Sequence, residues 1–126
     1  MASETPIVPN DPRAQFGRRG EDLASLFFRA RGFRVLDRNW RTRLGEIDLI
    51  VEKDGRVHFI EVKTRRSTAY GNPEEAITQT KLRHLSRTIE LYLRAHPAIR
   101  HYQAGALAIL TEPRKPAEFH YIEQIF

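Results

Sequence analysis

Two acidic residues and a lysine lie in neighbouring segments of β-forming sequence, where they could act together on a phosphodiester. Asp48 belongs to the run from Gly45 to Glu52, and Glu61 and Lys63 belong to the run from Arg56 to Thr64. Carboxylate oxygens are the ligands that Mg²⁺ and Mn²⁺ prefer, and a nearby ammonium can polarise a water or offset charge on a phosphorane. We therefore predict a Mg²⁺ or Mn²⁺ site in which Asp48 and Glu61 are ligands and Lys63 assists hydrolysis.

The turn between the two runs predicts how they pair. Asp54-Gly55 is a strong hairpin signal, so we expect an antiparallel hairpin in which the numbers of paired residues sum to 109. Asp48 then lies opposite Glu61, and Glu46 lies opposite Lys63. Two carboxylates at a cross-strand distance of about 4.5–5.5 Å repel each other, which favours a cation between them. The alternatives are a solvated face whose acids pair with surface Lys and Arg, or a register slip that changes the pairing.

Alternation along the hairpin divides its side chains between two faces of the sheet. The predicted core face carries Ile47, Leu49, Val51, Ile60, Val62 and His58. The predicted opposite face carries Glu46, Asp48, Glu61 and Lys63 at one end, with Ile50 and Phe59. The five histidines form no pair at a zinc-binding spacing, and we interpret His58 as a partly buried polar residue and the others as surface groups.

A helix and a strand precede the hairpin. Apolar residues at helical spacing predict a helix from Arg13 to Arg31, with Gly32 as its C-terminal cap. Phe33 to Leu36 is predicted as a short strand, followed by a polar stretch from Asp37 to Arg43. We expect the helix to cover one face of the sheet.

Glu21, in this first helix, is a further candidate site residue. It follows Gly20, where a small residue permits close approach to a neighbouring element, and it lies at the edge of the apolar stripe. It could be a third metal ligand or a base that orients water. Its spacing by itself favours an ordinary exposed helix acid.

A second helix and two strands follow the hairpin. After a polar loop from Ser67 to Asn72, the segment Asn72-Pro73-Glu74-Glu75 supplies an N-cap, a proline and first-turn acids, and we expect the helix to run from there to Pro97. Its predicted buried face comprises Leu82, Leu85, Ile89, Tyr92 and Leu93. Strands are predicted at Gly105 to Leu110 and Glu118 to Ile122. The order α-β-β-β-α-β-β, with two helices on a mixed sheet, defines an α/β fold.

Size and composition limit the other possibilities. The chain has 126 residues, and we expect residues 1–11 to be a flexible leader and residues 12–126 to form one domain. The absence of cysteine excludes disulfides, thiolate catalysis and sulfur-bound zinc. No apolar run approaches the roughly 18 residues of a membrane span, and the N-terminus has no secretory pattern, so the cytoplasm is the expected compartment. The net charge of +5 suits a polyanionic partner, although moderate basicity is also common in soluble domains.

Several motifs in order carry a resemblance to a known family. They are Gly20-Glu21, Arg38-Asn39-Trp40-Arg41, Gly45-Glu46-Ile47-Asp48-Leu49-Ile50, Phe59-Ile60-Glu61-Val62-Lys63-Thr64-Arg65, Gly71-Asn72-Pro73 and Lys81. Over roughly residues 13 to 110 the chain resembles the YraN family of uncharacterised bacterial proteins. That family is similar to archaeal Holliday-junction resolvases and to the wider restriction-endonuclease-like superfamily, whose site is a PD-(D/E)xK motif.

The resemblance implies a restriction-endonuclease-like sheet flanked by helices. Asp48, Glu61 and Lys63 match the superfamily motif, and Glu21 matches the helix glutamate of the resolvase-like branch. The resemblance to resolvases also implies a two-fold dimer. One departure is the segment Gln103-Ala104-Gly105, where the family commonly shows Arg-Phe-Asp, and it puts in doubt whatever that aspartate contributes.

Three functions are compatible with these features. The first is a Mg²⁺- or Mn²⁺-dependent endonuclease acting on structured or branched nucleic acid, with DNA favoured over RNA. Its candidate phosphate contacts are Arg18, Arg19, Arg65 and Arg66, which flank the motifs. The second is a non-catalytic nucleic-acid-binding module with the nuclease fold. The third is a partner-binding protein that uses the apolar stripe of the second helix, although that stripe is more typical of a core.

Overall fold

The computed structural model describes residues 12–66 and 78–126, with side chains from Arg19 onward within those ranges. The elements are α1 (Pro12–Ala30), β1 (Arg34–Thr42), β2 (Gly45–Lys53), β3 (Arg56–Arg65), α2 (Gln79–Ala95), β4 (Tyr102–Leu110) and β5 (Glu118–Ile122). The predicted order α-β-β-β-α-β-β is therefore confirmed. The expected leader at residues 1–11 and the expected loop from Ser67 to Asn72 lie outside the described residues.

The five strands form one mixed sheet in the order β1-β2-β3-β4-β5. Neighbouring strands are antiparallel except β3 and β4, which are parallel and connected through α2. The predicted hairpin register is confirmed from Lys53↔Arg56 to Leu49↔Ile60. Asp54 and Gly55, with φ of 52° and 77°, adopt the left-handed conformation that this tight turn requires.

Strand β1 is longer than the sequence predicted. It includes much of the polar stretch after Leu36, because this stretch pairs with β2 from Asp37↔Ile50 to Thr42↔Gly45. Trp40 also contributes to the core, since its ring packs edge-on against Tyr92 of α2 at a centroid distance of 5.0 Å. The polar part of this edge strand contributes one aromatic residue to the core, so its sequence shows little of the apolar alternation that predicts a strand.

Strand β4 also begins earlier than predicted. It starts at Tyr102 rather than Gly105, because its parallel pairing with β3 begins at Val57↔Tyr102. Strand β5 has the predicted bounds, Glu118–Ile122.

Helix α2 does not begin where the sequence predicted. Thr78 is extended (φ −102°, ψ 164°) and is the N-cap, since its side chain accepts a hydrogen bond from the N–H of Lys81 at 3.3 Å. The prediction that this helix starts at Asn72-Pro73 is therefore wrong for α2, while residues 67–77 themselves lie outside the described residues. The helix ends at Ala95, before Pro97, as expected.

The two helices pack on opposite faces of the sheet. Ile60 packs with Ala24, Phe27 and Phe28 of α1, whereas its neighbour Phe59 packs with Leu85, Ile89 and Tyr92 of α2. Both faces of the hairpin are therefore core along most of its length, and only one end carries charge. In the described part of the chain, neither helix is long and apolar enough to cross a bilayer.

Two hairpin residues test the predicted assignment of side chains to the faces of the sheet. His58 lies on the same face as Leu49 and Ile60, as predicted; this is the α1 side, where it is buried with its Nδ1 3.1 Å from the hydroxyl of Tyr121. Ile47 was predicted on that side too, but it packs in the α2 cluster with Ile50. The change of side lies opposite Asn39 of β1, which has a φ of 52° between the pairs Arg38↔Leu49 and Trp40↔Ile47.

Candidate active site

The hairpin opens into a cavity beyond its last paired residues. The ladder between β2 and β3 ends at Leu49↔Ile60, and β3 continues alongside β4 to Arg65↔Leu110. The cavity has a volume of about 420 Å³ and is lined by Glu21, Gly45, Glu46, Asp48, Glu61, Val62, Lys63, Thr64, Arg65, Lys81, His84 and Leu85. Four carboxylates and three cationic side chains therefore meet in one concave site.

Asp48 and Glu61 are brought together, although not by ladder pairing. The backbone N–H of Val62 donates to Asp48 Oδ2 at 2.8 Å, so a carboxylate oxygen takes the place of a main-chain acceptor. Both side chains line the cavity, and they lie close enough for the charge of Glu61 to act on Asp48. Two carboxylates held this close repel each other unless they hold a proton or bind a cation, so the structure forms an acid pair of the predicted composition.

Burial and mutual repulsion disfavour full ionisation of this pair. Asp48 is 8% exposed; burial and then the charge of Glu61 raise its pKa to about 8, against the opposing Val62 N–H. Burial also raises the pKa of Glu61, while the ammonium groups of Lys63 and Lys81 oppose that rise. The pair therefore holds a proton near neutral pH, and a divalent cation could replace that proton.

Glu21 reaches the same cavity from α1. The side-chain amide of Asn39 donates to Glu21 Oε1 at 2.9 Å, and burial raises the pKa of this carboxyl while Asn39 opposes the rise. Gly20 makes the approach of α1 possible, since a Cβ at this position would lie 2.4 Å from Thr64 Cγ2. The expected close approach at Gly20 is therefore present.

Glu46 lines the cavity but does not face Lys63 as a ladder partner, because β2 and β3 no longer pair at that level. Its carboxylate instead forms an ion pair with Arg41 of β1, with Nε and Oε2 2.8 Å apart. The predicted Glu46–Lys63 pairing was wrong, because β2 turns towards its other neighbour once the hairpin opens.

Three polar residues in or beside the cavity were not assigned as site residues from the sequence. Lys81 and His84 line the cavity from the first turns of α2, and Asn39 of β1 holds Glu21 from outside the lining. Asn39 and Lys81 lie in the motifs that carry the family resemblance, which was the only signal for them. Asn39 also suits its position because asparagine tolerates a positive φ better than most residues.

The candidate arginines fall into two groups. Arg65 lines the cavity, where its Nη1 donates to the carbonyl of Thr64 at 3.0 Å. Arg19 and Arg66 are exposed, and Arg18 lies in α1 with a side chain outside the described part. Only Arg65 is thus placed in the cavity among the arginines whose side chains are described.

The unusual segment Gln103-Ala104-Gly105 lies at the start of β4, away from the cavity. Gly105 pairs with Ile60, whereas Lys63 pairs with Ala108 three residues further along β4. A Cβ at Gly105 would lie 2.7 Å from the carbonyl oxygen of Ile122, so the close-packed C-terminal segment requires glycine there. This departure therefore has a packing explanation.

The donor set suits a hard divalent cation that keeps most of its water. Among residues 12–66 and 78–126, no three His, Asp or Glu side chains are grouped closely enough to form a complete protein cage. Mg²⁺ is commonly held by only one or two carboxylates together with waters and phosphate oxygens. Asp48 and Glu61 match that pattern, and the cavity beside them has room for hydrated ion and phosphate.

Comparisons with known proteins define the family. The UPF0102 protein of Syntrophomonas wolfei is 42% identical over 109 residues, covering 86% of this chain and 95% of that protein. The UPF0102 protein of Chloroherpeton thalassium is 39% identical over 106 residues, covering 83% and 82%. The solved structure of Hjc, a Holliday junction resolvase of Archaeoglobus fulgidus, is similar at a TM-score of 0.46 and 18% identity, over 82% of this chain and 74% of that chain. The model described as "Uncharacterised protein family UPF0102" matches residues 20–114, and the chain belongs to this family, also called YraN, as its motifs predicted.

Proposed function

We propose that this chain is a Mg²⁺- or Mn²⁺-dependent endonuclease that hydrolyses phosphodiesters in structured or branched nucleic acid. The observation that carries the proposal is the buried Asp48–Glu61 carboxyl pair, which opens into a cavity that also contains Lys63. Burying two acids against each other is unfavourable for stability. A bound cation would offset the repulsion between the two acids, and it would in turn bind a phosphate.

Each residue has a defined task in this proposal. Asp48 and Glu61 would hold the cation, which when bound lowers the pKa of a water and offsets phosphate charge. The N–H of Val62 fixes the orientation of the Asp48 carboxylate. Lys63 donates to a phosphate oxygen, and Glu21, held by Asn39, orients the attacking water and accepts its proton.

The basic side chains would position the substrate. Arg65 is near enough to the acids to contact the scissile strand, and the exposed Arg19 and Arg66, with Arg18, extend that contact outward. The net charge of +5 favours binding to a polyanion. DNA, branched substrates and a two-fold dimer are proposed because the family resembles the archaeal Holliday-junction resolvases.

The test is cleavage of labelled four-way junction, flap and single-stranded DNA, with EDTA, Mg²⁺ or Mn²⁺. We expect metal-dependent cutting by the wild type, reduced about 100-fold or more in Asp48→Asn and Lys63→Ala. The matched control Asp54→Asn makes the same change in the exposed hairpin turn and should cut normally. Activity that survives in both site variants would refute the assignment, and light scattering checks the dimer.

A non-catalytic nucleic-acid-binding module is the second candidate. It is favoured by the two lysines beside Glu61, which already stabilise its ionised form without a metal. Calorimetry separates the two candidates. Intact DNA binding with no Mg²⁺ or Mn²⁺ binding at millimolar concentration would replace the nuclease proposal with this one.

A further inference from the structure

Two lysines from distant parts of the chain meet in the cavity. Lys63 comes from β3 and Lys81 from the first turn of α2; both line the cavity, and the charge of Lys63 acts on Lys81. An ammonium group has three donors and no acceptor, so two protonated lysines that line one cavity repel each other. The arrangement mirrors that of the two acids: like charges are placed together where a ligand of opposite charge would relieve the repulsion.

Most of the charged groups that act on Lys81 are cations. Lys63 and Arg65 disfavour the charged form of Lys81, and Glu61 is the acid that favours it. Glu61 also interacts with Lys63 and with the carboxyl group of Asp48. Lys63 and Lys81 therefore act on the same carboxylate, and burial with the charge of Lys63 lowers the pKa of Lys81 to about 8.

We propose that Lys81 and Lys63 together bind the non-bridging oxygens of a phosphate group, with Lys81 contacting the substrate directly. A phosphate oxygen accepts hydrogen bonds from both ammonium groups at once, and its negative charge offsets their mutual repulsion. The phosphate can be an internal phosphodiester or a terminal phosphate monoester, which offer the same oxygens. The inference rests on the nucleic-acid-binding part of the proposed function and not on cleavage.

The test measures binding without cleavage. Fluorescence anisotropy follows two short single-stranded DNA oligonucleotides of one sequence, with a 5′-hydroxyl or a 5′-phosphate, in EDTA over a range of salt. The proteins are wild type, Lys81→Gln, Lys81→Arg and Lys115→Gln. The last is a matched control, because it removes the same charge from an exposed lysine outside the cavity, paired with Glu112 at 3.6 Å.

We expect Lys81→Gln to bind about tenfold more weakly, and the slope of log affinity against log salt to become shallower by about 0.7, the value for one phosphate contact to single-stranded DNA. Lys81→Arg should keep most of the affinity, and Lys115→Gln should match the wild type. If the wild type prefers the 5′-phosphate and Lys81→Gln loses that preference, the ligand is a terminal phosphate. An equal loss for both oligonucleotides identifies an internal phosphodiester.

Several results would overturn the inference. They are wild-type affinity and salt slope in Lys81→Gln, an equal loss in Lys115→Gln, or an arginine variant as weak as the glutamine variant. Thermal melts of all variants confirm that each is folded. If Lys81→Gln weakens binding while the wild type cuts nothing with Mn²⁺, the phosphate site stands and the nuclease proposal fails. If the wild type cuts but Lys81→Gln binds normally, only the phosphate site fails.

Discussion

The acid pair should make the stability of the metal-free protein fall as pH rises towards 8. The pKa of Asp48 is raised from 3.8 to about 8 by burial and by the charge of Glu61. A raised pKa means that the folded protein binds this proton more tightly than the unfolded chain. The free energy of unfolding therefore declines as pH rises from about 4 towards 8, by at most about 1.4 kcal/mol per pH unit.

The size of the effect follows from this linkage. Between pH 6 and pH 7.5, a folded pKa near 8 and an ionised unfolded state give a loss of about 2 kcal/mol. For a chain of this length that is roughly 8 °C in Tm. The window stops at pH 7.5 because Lys81, whose lowered pKa is about 8, titrates with the opposite sign above it.

The perturbation is Asp48→Asn, with Asp54→Asn as its matched control. Asp48→Asn removes both the titrating group and the charge beside Glu61, so its Tm should change by much less than that of the wild type over this window. Thermal melts followed by circular dichroism in EDTA measure the difference. Comparing variants at each pH removes the contribution of the histidines, since these are present in every protein.

Thermal melts with added Mn²⁺ test whether the pH effect is linked to cation binding. Mn²⁺ competes with the shared proton, so it should raise the Tm of the wild type more at pH 7.5 than at pH 6, and should have little effect on Asp48→Asn. A wild-type Tm as insensitive to pH as that of Asp48→Asn would refute the buried-pair reasoning. Equal Mn²⁺ stabilisation of both proteins would refute Asp48 as a ligand.

Two further predictions concern how α1 and β1 position Glu21. Gly20→Ala should lower the free energy of unfolding by about 1–3 kcal/mol, because its Cβ would meet Thr64 Cγ2 at 2.4 Å, and chemical denaturation should show recovery in the double variant with Thr64→Ser, which lacks that methyl group. No recovery would mean that the side chain of Thr64 is not the obstacle. Asn39→Gly keeps the positive φ but removes the amide that holds Glu21, so it should slow cleavage with Mn²⁺ by about tenfold while costing at most about 1 kcal/mol of stability. Unchanged cleavage kinetics would show that Glu21 needs no orientation by Asn39.

Local signals in the sequence determined the hairpin and its register. Asp54 and Gly55 specify a tight turn because both adopt a positive φ, and a tight turn sets the pairing of every residue up to Leu49↔Ile60. The order of elements was predictable for the same reason, since helical and strand periodicities are properties of short segments. Asp48, Glu61 and Lys63 were consequently expected near one another.

Tertiary packing decided how these residues are held and what joins them. The hairpin ladder ends before Asp48, whose carboxylate accepts a backbone hydrogen bond from Val62 instead. No alternation rule predicts this, because it depends on β3 following β4 rather than β2. The length of the edge strand β1 was underestimated for a related reason. Its polar residues are in a strand because they pair with β2, and Trp40 packs against α2.

Lys81 and Asn39 show most clearly what the sequence alone cannot predict. Lys81 meets Lys63 because α2 has its N-cap at Thr78 and its first turn lines the cavity, and Asn39 reaches Glu21 because α1 packs against β1. Contacts between residues 18 apart in sequence are set by how elements pack, which single-segment patterns do not encode. The sequence by itself determined the acids and the lysine of the site, and the fold decided which charges and hydrogen bonds surround them.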